Sequence, residues 1–161
     1  MVKALVLYNS LFGNTKIVAE QIALGLQEEN VLTDCVNIKE IDRSSLNNYD
    51  FIAVGGPTHN ISLSKDMKEF FRTTLYHLKL KGKKGFAFDT RKESKMNSKR
   101  YFILENSAAR RIQVKLKKMK LKIIKDRESA LIEPDRKGPL LPGVKERFFQ
   151  IGKELGQLLQ V

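Results

Sequence analysis

Several things are scarce in this chain of 161 residues, and each scarcity removes a class of protein. There is one cysteine, Cys35, so an intrachain disulfide is impossible and a reducing cytoplasm is the expected location. Within "LTDCVNI" that residue reads as a small buried hydrophobe rather than a nucleophile. No apolar stretch approaches membrane-spanning length, which argues against membrane insertion. The start, "MVKALVLY", holds one Lys and no small-residue cleavage pattern, so it does not read as a secretion signal. No Gly-Lys-Ser/Thr ending and no G-x-G-x-x-G is present, which excludes a nucleotide-hydrolysing P-loop and the dinucleotide fingerprint. Repeats, low-complexity tracts and linkers are also missing. The length suits a single domain over 1–161 with a proper core.

What is abundant is positive charge, and it is unevenly placed. Residues 1–80 carry 8 Lys+Arg against 9 Asp+Glu, a net of −1, whereas residues 81–161 carry 22 against 9, a net of +13. Nine of these cations fall between Arg110 and Arg127. Such asymmetry suggests an anionic partner, with a solvated surface as the plain alternative.

Apolar runs alternate with helical patterns. Strands are expected at Lys3–Tyr8, in "VLTDCVNI", at Asp50–Pro57, at Lys83–Thr90 and in "LKIIK". Helices are expected from Asn14 to about Glu29, from Ser64 to Leu75, and after Ser107 as a cap. In the first, Ala19, Ile22, Ala23 and Leu26 recur at helical spacing. In the third, Ala109, Ile112, Leu116 and Met119 do so. An irregular stretch with Pro134, Gly138, Pro139, Pro142 and Gly143 precedes a last helix, striped by Val144, Phe148, Ile151, Leu155 and Leu158. This rhythm predicts an α/β fold: a doubly wound five-stranded parallel sheet, order 2-1-3-4-5, with helices on both faces. Its ligand belongs beyond the carboxyl ends of the strands, where loops Asn9–Thr15, Pro57–Ser64 and Asp89–Arg100 should meet.

The first of these loops, "YNSLFGNT", opens a helix without any Lys or Arg. Unpaired backbone N–H groups and the helix dipole can hold a phosphate monoester there. Ser10 and Thr15 add hydroxyls, Asn14 an amide, and Gly13 permits close backbone approach. A simple turn with a helix cap remains the alternative.

Taken with two further stretches, the loop resembles the flavodoxin family. "YNSLFGNTKIVAEQIA" resembles its phosphate loop, "YDFIAVGGPTHNIS" its Gly-x-Pro-Thr-Trp-Asn-like strand and loop, and "GPLLPGVKERFFQIGKEL" its closing stretch. The absence of a long insertion in the last strand resembles the short-chain members. The resemblance implies a non-covalent FMN site and electron transfer between redox proteins. Carried over residue by residue, Ser10, Gly13, Asn14 and Thr15 match the phosphate loop. Leu11 and Phe12 stand where hydroxyl residues are usual, and losing such donors weakens binding. Pro57, Thr58 and Asn60 match the second loop, with His59 in place of the usual Trp. Asp89 and Thr90 align with residues at the pyrimidine edge of the flavin. Tyr101 is the nearest candidate for the outer stacking aromatic.

The resemblance also frames the departures. Arg91, Lys92 and Lys95 would make the cofactor loop cationic and the last-electron potential less negative than in acidic relatives. The basic second half would suit acidic redox partner proteins, with nucleic acid a weaker alternative for want of stacking aromatics. Two other functions remain open at this point. One is an FMN-dependent NAD(P)H/quinone reductase. The other is a flavodoxin-like binding module without FMN that uses its basic face to bind nucleic acid or an acidic protein.

Overall fold

A computed structural model describes residues 1–59, 62–74, 78–92, 107–135 and 137–161. Among these residues six strands form the sheet: β1 (Lys3–Tyr8), β2 (Leu32–Asn37), β3 (Phe51–Pro57), β4 (Lys84–Lys92), β5 (Lys122–Ile123) and β6 (Glu128–Ile132). The helices are α1 (Asn14–Glu28), α2 (Lys65–Thr73), α3 (Ala108–Lys118) and α4 (Val144–Leu159), and a 3₁₀ turn spans Arg43–Asn48. All strand pairings are parallel and the order is β2-β1-β3-β4-β5, with β6 also on β4. The predicted order 2-1-3-4-5 is therefore the observed one.

The central strands are apolar because both their faces are covered. With the period of two that a strand imposes, Ala4, Val6, Phe51, Ala53, Phe86 and Phe88 face α1 and α4. Leu5, Leu7, Ile52, Val54 and Ala87 face α2 and α3. Each fully buried large side chain contributes about 1.5–3 kcal/mol. On the first face α1 and α4 approach backbone to backbone. A Cβ added at Gly25 would lie 2.2 Å from the Phe149 carbonyl oxygen, and one at Gly152 would lie 2.3 Å from that of Ile22.

Three expectations are corrected. The fifth strand is not one run over 121–125: the chain pairs with β4 at β5, leaves the sheet, and pairs with β4 again at β6. Gln113 of α3 causes the detour, donating to Asp126 Oδ1 at 2.8 Å and accepting from the Arg127 N–H at 2.9 Å. Leu158 is exposed, and Leu159 completes the α4 stripe instead, because the crossing at Gly152 and Gly156 turns Leu155 and Leu159 inward. Finally, β4 runs two residues past Thr90, so Arg91 lies in the sheet rather than in a loop. The predicted helical residue Leu75 lies outside the described residues.

Candidate functional site

The carboxyl ends of β1, β3 and β4 lie side by side, with Tyr8 opposite Gly55 and Pro57 opposite Thr90. After β1 the Asn9 N–H donates to the Gly55 carbonyl at 3.0 Å. Its buried Oδ1 accepts from the Ser64 hydroxyl at 2.7 Å, and that hydroxyl in turn caps α2 at the Met67 N–H. One side chain thus ties the first loop to the start of the second helix, a role the sequence did not reveal. Ser10 Oγ accepts from the Gly13 N–H at 3.0 Å, which closes the loop into a tight turn. Gly13 sits at φ 93°, a left-handed conformation that favours glycine. Leu11 and Phe12 form the exposed tip, at 46% and 53% of full exposure.

Helix α1 then starts with no side-chain cap and no acidic residue in its first turn. α2 and α3, by contrast, are capped by Ser64 and Ser107. Uncapped N–H groups with the positive end of the dipole behind them suit an anion. The Asn14 amide, expected to face a phosphate, donates instead to the Lys137 carbonyl at 3.0 Å. It thereby fastens the loop before α4 over the start of α1, and a Cβ at Gly138 would come within 2.6 Å of it. The Thr15 hydroxyl meets that of Thr90 at 2.8 Å, both nearly fully buried.

The second and third loops meet at the start of α3. Thr58 Oγ1 donates to Asp89 Oδ2 at 2.7 Å and accepts from the Ala108 N–H at 3.0 Å. The same Asp89 oxygen accepts from the Ala109 N–H at 3.2 Å. Asp89 is fully buried, and burial pushes its carboxyl above the ordinary carboxylate range. Hydrogen bonds from Ser129, Thr58 and Ala109 and the charge of Arg91 oppose that rise without reversing it. Among the described residues Oδ1 has no partner of normal hydrogen-bond geometry, although Ser129 stands opposite on β6.

The side chains of Asp89 and Thr58 are thus turned to the first turn of α3. Pro57 is half-buried. His59 is exposed, and its backbone pairs with Ser62 in both directions at 2.8 and 2.9 Å. Arg91 is buried, with 6% of its surface exposed, so the expected solvent-facing cation is part of the interior while Lys92 is exposed. Asn60, Lys95 and Tyr101 lie outside the described residues.

A parallel sheet with an uncapped helix start at the crevice between β1 and β3 defines a doubly wound α/β protein whose switch point suits a phosphorylated ligand. A family model described as a flavodoxin domain matches residues 5–125, and the chain belongs to the flavodoxin family. A probable flavodoxin 1 of Bacillus subtilis (strain 168) is 44% identical over 55 residues, 34% of this chain and 35% of its own length. The match thus spans about a third of that relative.

Among solved structures, a flavodoxin from the domain Archaea superposes with a TM-score of 0.80 at 24% identity, covering 99% of this chain and 100% of that one. The oxidised flavodoxin 1 of Bacillus cereus gives 0.76 at 21% identity, covering 96% and 97%. The rubredoxin oxygen:oxidoreductase of Desulfovibrio gigas gives 0.76 at 17%, covering 98% of this chain but only 36% of its own. At these identities the likenesses speak for the fold. Membership of the family makes FMN the cofactor, and the open first turn of α1, free of carboxylates, fits its phosphate. Among the described residues no helix is long and apolar enough to cross a membrane.

Proposed function

We propose that this chain binds FMN at the loop Ser10–Thr15 and carries electrons between redox proteins of the cytoplasm as a single domain. The observation that carries the reading is the uncapped start of α1, placed at the carboxyl ends of β1, β3 and β4. The N–H groups of that turn, with the Ser10 and Thr15 hydroxyls, hold the phosphate. Asn14 keeps the turn in place by binding Lys137. Pro57 and His59, in the loop after β3, border one side of the ring, and the carboxyl end of β4 lies along its edge. Thr58 and Asp89 act by fixing the start of α3 rather than by facing the ring.

FMN, when bound, supplies the one- and two-electron chemistry, and the protein supplies position and electrostatics. No side chain need act as a nucleophile or general acid. The net charge of +12 suits acidic partners, because complementary charge mainly speeds encounter.

The test is the visible spectrum of the purified protein and its titration with FMN and with riboflavin. Saturable uptake of FMN, at least about tenfold tighter than riboflavin, supports the reading, since a phosphate held by several N–H groups is worth more than one hydrogen bond. No uptake of either flavin overturns it.

A further inference from the structure

On the sheet face away from α1 and α4, a groove of about 350 Å³ runs between α2 and α3. Its polar lining is cationic: Lys68 from α2, and Arg110, Arg111, Lys115 and Lys118 from α3. Among the described lining residues, which also include Leu63, Val114 and Ser62, there is no Asp or Glu. Val114 is 38% exposed, an aliphatic surface among these cations. Among the described residues, the ion pairs of α2 join Arg72 to Glu69 and Asp66 to Lys39. Along α3, Arg111, Lys115 and Lys118 recur at i, i+4 and i+7. They present charge to one side over about 11 Å of helix axis.

The shape and chemistry select among occupants. A small phosphate is held by fixed donors, such as an open helix start. Here the cations stand on long stems, and the start of α3 is closed by Ser107, Thr58 and Asp89. Single-stranded nucleic acid is held by aromatic platforms, and among the described residues that line the groove none is aromatic. A protein segment with carboxylates and one aliphatic side chain matches both the cations and the aliphatic residues of the lining.

The groove is also well placed. Ser62 in its wall is paired with His59 in the loop that borders the cofactor crevice, and Ala108 at the head of α3 is bonded to Thr58 of the same loop. We infer that this groove receives an acidic, Leu- or Val-containing segment of the partner protein, seating it beside the flavin edge. The inference rests on the electron-carrier reading above.

The test uses the FMN-loaded protein and a fluorescein-labelled peptide, Glu-Glu-Leu-Glu-Glu-Leu-Glu-Glu, with octathymidylate as the competing polyanion. Anisotropy is measured at low salt for the native chain, for Arg111→Glu/Lys118→Glu, and for Lys122→Glu/Lys145→Glu, which makes the same charge change away from the groove. The groove variant is expected to bind the peptide at least about tenfold more weakly, and the control variant within about threefold of native. Equal losses in both variants, no binding by the native chain, or tighter binding of octathymidylate than of the peptide overturns the inference. FMN titrations of the same samples keep the two readings separate. Failure of FMN uptake refutes the carrier, whereas loss of groove selectivity with FMN uptake intact refutes only the docking site.

Discussion

The hydroxyls of Thr15 and Thr90, separated by 75 residues, meet at 2.8 Å at the start of α1. Either can donate, so a phosphate accepting from Thr15 would leave Thr90 to donate into the pair. Thr15→Val keeps the shape and removes the hydroxyl. FMN affinity should fall about tenfold or more, since a hydrogen bond to a charged group is worth about 1.5–3 kcal/mol. Riboflavin affinity should hardly change. Parallel losses for both flavins in isothermal titration would assign Thr15 to the fold alone.

Leu11 forms part of the exposed tip of that loop and is about half exposed. Leu11→Thr restores a hydroxyl at little expense, because surface changes away from special features stay within about 0.5 kcal/mol. The expected outcome is several-fold tighter FMN binding with an unchanged urea midpoint. Unchanged affinity would show that backbone donors already satisfy the phosphate.

Asp89 holds its proton to higher pH when folded, chiefly through burial. Its contribution to stability is therefore complete below the ordinary carboxylate range and is lost as pH rises through the raised value. Asp89→Asn keeps an oxygen to accept from Thr58 and Ala109 and carries no charge. It should be as stable as the native chain or more so at pH 7, with a flatter urea midpoint against pH. Asp89→Ala uncovers the start of α3 and should lose about 1–2 kcal/mol. An Asn variant as weak as the Ala variant at pH 7 would contradict this account.

The Cys35 thiol is pushed up to about 12 by burial and then by Glu20, against a lowering from Lys16. Since only the thiolate reacts, alkylation by iodoacetamide at pH 7 should be far slower in the folded chain than in urea. Mass spectrometry after timed quenching reads this directly. Comparable rates in both states would refute the half-buried setting.

Gly13 and Gly138 both lie in the left-handed region, at φ 93° and 95°. A Cβ at Gly13 meets nothing within 4 Å, whereas one at Gly138 collides with the Asn14 amide. Gly13→Ala should therefore cost about 1 kcal/mol of stability, from backbone strain alone. Gly138→Ala should cost more, and Asn14→Ala should relieve part of the difference. Urea unfolding of the three variants and the double mutant checks the order; a coupling of zero would remove the collision as its cause.

The legible parts of the fold were those with strong periodicity. β1, α1, β3, α3 and most of α4 stand where their apolar patterns place them. The detour between β5 and β6 was hidden, because its cause is one amide, Gln113, reaching a loop 13 and 14 residues away. Leu158 and Leu159 are equally apolar, and only the helix crossing at Gly152 chooses between them. In the site, motif likeness located Thr58, Asp89 and Arg91 in sequence but not the direction of their side chains. The Thr58–Asp89 bond spans 31 residues, and no local pattern reports it. The clamp of Asn14 on Lys137 spans 123, and it turned an expected phosphate donor into a strut.

The contact of α1 and α4 at Gly25 and Gly152 has a consequence for the order of events during translation. α1 emerges from the ribosome early, but it packs on residues of 144–159 and its first turn is strapped by Lys137. The first turn of α1 therefore cannot take its final shape on a nascent chain that stops short of α4. A stalled or clipped chain would expose the cofactor's loop without being able to close it, and such fragments should emerge colourless.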